Sequence, residues 1–360
     1  MSKQAKLKAV LMNTATCAAF FLLSACANSG GGKWTYAAWP SPQIVHSHNG
    51  WALNVALQTP TNLTVTGVAK QPAARWSTLA MDGEISDSLR ITAIGDGAFK
   101  DCYSLSGVTL PAGITRIGDD AFRNCNGLES LELPAGVTQI GDSVFRGCNS
   151  LSSMVLPAGI TRIGVGAFQG CVSLSSVTLP ADVTQIDTIA FQDCASLSSV
   201  MIPAGVTIIG DHAFDGCAGL ASVTLPADMA PLTQVPFLNT ATGRPRIPPN
   251  TFYIGFAVFR DCSSLISIAI PGGVSRIPPF AFSGCTDLTS ITLPDSVNDI
   301  ANDAFQGCAG LTSVNGPDSV PFFADNVFEG CPGLVGAKLP KETTRRLGRS
   351  LPPMLAPSTD

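Results

Sequence analysis

The chain has 360 residues, of which 13% are charged, and a formal net charge of −5. So few cations leave no basic surface able to neutralise a phosphate backbone, which excludes nucleic acid as a partner. That length would ordinarily make one or two globular domains, yet one repeat fills about two-thirds of it and points to a single elongated body.

Residues 1–25 read as an export signal: Lys3, Lys6 and Lys8 give a positive start, and Ala9 to Leu23 is mostly apolar. The run Leu23-Ser24-Ala25-Cys26 resembles the lipobox of bacterial lipoproteins. That resemblance implies cleavage before Cys26, acylation of Cys26 and a membrane anchor in the bacterial envelope, at the outer membrane or cell surface. A cut after the small run Ala25-Cys26-Ala27 is the competing reading.

Residues 26–60 are expected to hold a tether, with Gly-rich ANSGGGK at 27–33, and the start of an N-terminal cap. All four tryptophans (Trp34, Trp39, Trp51, Trp76) precede the regular array, as suits a cover for the open end of a stacked core. An aromatic ligand platform is the alternative. His46 and His48 lack a third ligand nearby in sequence and are expected in an exposed loop. Residues 61–101 form an irregular capping repeat, because Asn62–Gly67 alternates as a strand and Ile91-Thr92-Ala93-Ile94 already matches a later column.

From 102 to 340 the chain keeps time. Phe99, Phe122 and Phe145 open a column spaced by 23 residues, and Cys102, Cys125 and Cys148 follow each by three. A strand position (Val108, Leu131, Met154), a Leu or Ile two later and then a proline recur in step. Self-similarity at this period means a solenoid, since one unit cannot bury its apolar side alone. About 11 repeats are expected, mainly β, with short parallel strands and short helical or 3-10 turns at AFxxC. In each strand the alternate apolar residues face inward and Ser130, Ser153, Ser176, Ser199, Thr178 and Thr224 face outward. The second extended piece, such as Val137–Ile140, is expected to alternate in the same way. Aspartates at Asp96, Asp119, Asp142 and Asp211 precede the turn and are expected to cap its amides. The cysteine column suits buried, reduced thiols, with pairing between neighbouring turns as the alternative.

Cys217 and Cys262 lie one residue short of two periods apart, so one unit near 229–256 reads as having lost a residue between Thr240 and Ile247. Counting back from Phe259 puts Arg244 and Arg246 in outward slots, where a guanidinium pair suits an acidic partner. Pro245 is expected to break the ladder there. The tail 341–360 is basic and proline-containing, and a capping helix followed by disorder is expected.

The unit LTSITLPDSVNDIANDAFQGCAG, residues 288–310, resembles the BspA-type leucine-rich repeat of bacterial surface lipoproteins. The resemblance covers about 85–340 and implies a right-handed solenoid exposed on the cell. It also implies an adhesin or interaction scaffold that binds host matrix or plasma proteins, or other bacterial surface proteins. An envelope tether without a host ligand is the other class of function. The sequence carries no catalytic elbow, phosphate loop or metal-binding pair on a helix, so neither an enzyme nor a cofactor is expected.

Overall fold

The computed structural model describes residues 89–226, 253–317, 320–324 and 326–334, and the backbone of short strands between 35 and 86 and at 237–238 and 245–246. Cys26, the four tryptophans, His48, Arg244 and the tail 341–360 lie outside the described residues. His46 ends a strand, Gln43–His46, and so does not sit in the expected loop.

Four strands, Thr35–Tyr36, Gln43–His46, Ala52–Thr59 and Asn62–Lys70, pair antiparallel in succession. The last of them then pairs in parallel with Leu89–Ile94, which is where the stacked array begins. From there one ladder runs through Arg116–Ile117 and Gln139–Ile140, and continues in Arg162–Ile163, Gln185–Ile186 and Ile208–Ile209. A second ladder joins Ser77–Ala80, Leu105–Thr109 and Ser130–Glu132, then Ser153–Val155 with Ser176–Thr178, and Ser199–Met201 with Ser222–Thr224. Equivalent residues pair in register, as Met154 does with Val177, so each turn places identical slots directly over one another.

That register stacks the core by residue type. Phe99, Phe122, Phe145, Phe168, Phe191, Phe214, Phe259, Phe282, Phe305 and Phe328 are all fully buried. Their rings lie 5.1–5.7 Å apart between neighbours, at interplanar angles of 1–26°. Each stacked pair adds roughly 0.5–1.5 kcal/mol beyond the apolar area it buries. Strand residues alternate as expected, with Leu131 and Leu133 inside and Glu132 outside. The second piece does not alternate: Val137 and Ile140 are buried while Thr138 and Gln139 are exposed, an inward spacing of three.

No helix forms at AFxxC among the described residues. Gly97, Phe99 and Asp101 donate their amides to Asp119, Ala121 and Arg123 of the next turn at 2.7–2.8 Å, while Ala98, Lys100 and Cys102 close back on Gly95, Gly97 and Phe99. The amides thus alternate between the next turn and bonds of i to i−3 within their own, so the run of i to i−4 bonds that makes an α-helix does not form. The geometry requires a left-handed backbone twice per turn, at Gly97 (φ 61°) and Asp101 (φ 60°) in the first. The slot before cysteine is filled from Asp101 to Gly330 by Asp, Asn or Gly, the residues that bear that conformation at least cost.

The cysteines in the described turns are reduced and buried. The thiols from Cys125 to Cys331 each donate to the carbonyl of the phenylalanine in the preceding turn, at 3.0–3.2 Å. The carbonyl already accepts an amide of its own turn, as Phe99 does from Cys102, so the thiol takes the remaining lone pair. Burial pushes Cys171 from an ordinary 9.0 up to about 12.

The aspartates also reach across turns rather than capping their own. Asp96 Oδ1 accepts the amide of Asp119, Asp119 that of Asp142, Asp142 that of Val165, and Asp211 that of Phe256. A Cβ at Gly141 would overlap the Asp119 amide nitrogen, which is why the residue before the aspartate is glycine in these turns.

The region read as a shortened repeat is not a turn of the stack. Ile208–Ile209 pairs directly with Tyr253–Ile254, Ser222–Val223 with Ser267–Ile268, and Phe214 stacks on Phe259. Neighbouring turns there are separated by 45 residues where 23 serve elsewhere. The ladder thus passes directly from Ile208–Ile209 to Tyr253–Ile254 without a strand between them. Pro245–Arg246 pairs antiparallel with Phe237–Leu238, outside the parallel register. Ten phenylalanine layers are stacked among the described residues.

Candidate interaction surface

The outward positions of the strand ladder form two columns. Ser130, Ser153, Ser176 and Ser199 are exposed in the first, and their hydroxyls have no partner among the described residues. The second holds Glu132, Val155, Thr178, Met201 and Thr224 on successive strands, all exposed. Val155 is 67% and Met201 72% exposed, among the most exposed large apolar side chains described, and Thr178 separates them by one strand.

A third hydroxyl column, which sequence reasoning did not separate from these, is already spent. Ser152, Ser175 and Ser198 donate to the carbonyls of Glu129, Ser152 and Ser175. Thr115, Thr184 and Thr207 do the same along the other ladder. These hydroxyls hold turns together, whereas those of the Ser130 to Ser199 column make no such bond among the described residues.

A charged cluster marks the point where the 45-residue step is bridged. Asp215, 2% exposed, accepts Nε and Nη2 of Arg260 at 2.9 and 2.7 Å, faces His212 Nδ1 at 3.0 Å, and accepts Gln192 Nε2 at 3.1 Å. The Asp215 hydrogen bonds raise the Arg260 pKa, and burial followed by the charge of Asp215 raises that of Asp193. Tyr253 donates its hydroxyl to Asp211 at 3.1 Å, and burial pushes its own pKa upward. The rings of His212, Phe256 and Phe280 meet edge-on beside this cluster. Sequence patterning missed it, because Asp215 and Arg260 occupy one repeat slot but lie two nominal periods apart in the chain.

No group of three or more His, Cys, Asp or Glu that could hold a metal occurs among the described residues. Of the basic pair, Arg246 belongs to the antiparallel strand Pro245–Arg246, and Arg244 is outside the described residues.

The chain resembles a number of solved structures, among them the following three. A leucine rich cell surface protein from Faecalibacterium prausnitzii A2-165 is 25% identical, with 83% of this chain and 95% of that one covered and a TM-score of 0.42. The T. pallidum leucine rich repeat protein is 30% identical over 59% of this chain and 87% of its own, with a TM-score of 0.48. The pneumococcal vaccine antigen PcpA shares the fold at a TM-score of 0.54, with 22% identity over 82% and 81% of the two chains. No curated protein matches significantly. The family described as the BspA type leucine rich repeat region, in six copies, matches residues 83–198, 184–288 and 253–350. Those spans contain the phenylalanine stack, the thiol ladder and most of both strand ladders, and by them the chain belongs to the BspA-type leucine-rich repeat family.

Proposed function

We propose that this protein is an exported interaction scaffold of the bacterial cell surface, and that it holds a protein partner against the outward face of its strand ladder. One observation carries the reading: the Ser130 to Ser199 hydroxyls are unspent and run beside exposed Val155 and Met201. A hydroxyl rail with two apolar contacts offers hydrogen bonds and a desolvated anchor without charge, which suits an uncharged extended protein segment. Family membership supports the class of partner, a host matrix or plasma protein or another bacterial surface protein. Acylation of Cys26 supplies the membrane anchor, and Arg244 with Arg246 adds a basic contact for an acidic stretch of the partner.

The test is a binding screen of the purified chain against matrix, plasma and bacterial surface proteins, followed by Val155→Asp with Met201→Asp. Affinity for the partner should fall at least about tenfold, as expected when a central apolar contact is lost. An unchanged dissociation constant removes the face from the function. Arg244→Ala with Arg246→Ala separately tests the basic pair. Labelling cells with a radioactive fatty acid, with Cys26→Ser as control, tests the anchor.

A further inference from the structure

The outward column that contains Val155 changes character from strand to strand. Val155, Thr178, Met201, Thr224, Ala269 and Thr292 follow one another on six successive strands, all exposed, with an apolar residue on every second one. Neighbouring strands lie about 4.8 Å apart, so the apolar residues recur at about 9.6 Å. The core repeats at every strand, and a period of two strands is therefore not imposed by the stack. Beside this column run Ser153, Ser176, Ser199 and Ser222, exposed and with no hydroxyl partner among the described residues.

Of the two common extended conformations, one keeps step with that spacing. A β-strand turns the same side to a surface every two residues, about 6.8 Å, and falls out of phase with the apolar residues within one step. A polyproline II helix does so every three residues, about 9.3 Å, and drifts by only about 0.6 Å between the first apolar contact and the third. Hydrogen bonding agrees with the spacing. A polyproline II helix uses none of its carbonyls internally, and each proline in it brings no amide that needs a partner. Serine hydroxyls can donate to such a row of acceptors.

One end of the column is charged. Glu132 occupies it one strand before Val155, and Glu129 directly precedes the same strand, Ser130–Glu132. Both are exposed and enter no ion pair among the described residues. Two carboxylates at that point suit a lysine or arginine at one end of an otherwise uncharged segment.

We infer that this face takes a proline-rich protein segment in the polyproline II conformation. Apolar side chains three residues apart meet Val155, Met201 and Ala269, and a lysine or arginine at one end meets Glu129 and Glu132. The inference rests on the strand ladder being the binding face and adds the backbone conformation, spacing and charge of the occupant. Proline-rich segments hold this conformation before they bind, so little ordering entropy opposes the contact.

Fluorescence anisotropy of labelled peptides with the purified full chain tests it. The probe is Lys-Pro-Leu-Pro-Pro-Leu-Pro-Pro-Leu, made in both chain directions, against peptides of the same composition with the leucines two residues apart. In one direction the three-residue spacing should bind at least about tenfold more tightly, a difference of about 1.4 kcal/mol. Exchanging two exposed residues, Met201→Thr with Thr224→Met, keeps the composition of the face and breaks its alternation, and should lower that affinity about tenfold. Glu129→Gln with Glu132→Gln should lower it about threefold, and should not affect a peptide whose lysine is replaced by norleucine.

Equal affinity for the two spacings overturns the inference, as does an exchange variant that binds like the parent or a failure of every peptide to bind. An equal loss with and without the lysine removes the charged contact. If a partner found in the screen is lost with Val155→Asp and Met201→Asp while the peptides stay unbound, the face stands and the polyproline II occupant falls. Peptide binding that survives Val155→Asp with Met201→Asp overturns both readings.

Discussion

The turns from Cys102 to Cys217 and the single step from Cys217 to Cys262 solve one stacking problem with different means. In the regular stretch, neighbouring turns are joined by backbone hydrogen bonds, phenylalanine stacking, thiols, half-exposed ion pairs such as Arg162 with Asp142 at 3.0 Å, and neutral rungs such as Gln169 Nε2 to Gln192 Oε1 at 2.6 Å. At the junction the same stacking persists, with Phe214 and Phe259 rings 5.6 Å apart, but the side-chain rung becomes the Asp215–Arg260 fork and its His212 contact. Contacts run only between adjacent layers, so a long detour costs the stack little; loop closure grows by only about 0.6 kcal/mol per doubling of length. Layer contact, and not chain continuity, is what the fold requires.

Four measurements can break or sharpen that contrast. The largest effect should fall on what the two regions share, the thiol ladder. Cys102 and Cys171 are each raised from 9.0 to about 12, chiefly by burial, so the folded state holds those protons more tightly than the unfolded state does. Their contribution is full below pH 9 and is lost as pH climbs toward 12, so melting temperature should decline across that window. A flat profile from pH 9 to 12 would contradict the buried-thiol account. Next, Phe191→Ala and Phe259→Ala should each cost about 3–5 kcal/mol by denaturant unfolding, because both delete a fully buried ring. A much smaller cost at Phe259 would mean that the junction is looser than its ring spacing implies.

Third, Arg260→Ala should cost about 1–3 kcal/mol, since it leaves buried Asp215 with Gln192 and His212 but without its guanidinium. Gln169→Ala in the regular stretch should cost about 1 kcal/mol or less, as the loss of one neutral hydrogen bond does. Equal values would erase the distinction between the two kinds of rung. The smallest change is expected from deleting residues 228–249, which restores the 23-residue step between Cys217 and Cys262. Stability should stay within about 1 kcal/mol. Loss of cooperative unfolding in that variant would show that the detour supports the layers it joins.

Much of this was readable from the sequence, for reasons specific to each column. The phenylalanine and cysteine slots and the inward strand positions announce themselves because a parallel in-register stack repeats every constraint at one fixed spacing. The helical expectation at AFxxC failed because a lone segment does not reveal where its amides go. The Asp, Asn or Gly before each cysteine of the repeat column was nonetheless a visible sign of left-handed backbone. The aspartate rungs were missed because each acts one period away, on Asp119 from Asp96 for example. The supposed shortened repeat misled by arithmetic: a detour that nearly equals one period in length mimics a damaged unit. On the outward face, sequence gave the column of Ser130, Ser153, Ser176 and Ser199 but not the fact that Ser152, Ser175 and Ser198 are already used.

The direction of the AFxxC amides has a consequence for how such a molecule is made. Phe99 finds its acceptor on Ala121, Phe122 on Val144 and Phe145 on Ala167, always in the layer that comes later in the chain. Each thiol from Cys125 onward points the other way, to the carbonyl of the layer already laid down. A polypeptide emerging amino end first would therefore present a finished platform to every incoming layer and wait for the next one to seal it, so assembly can follow the order of emergence like courses of brick.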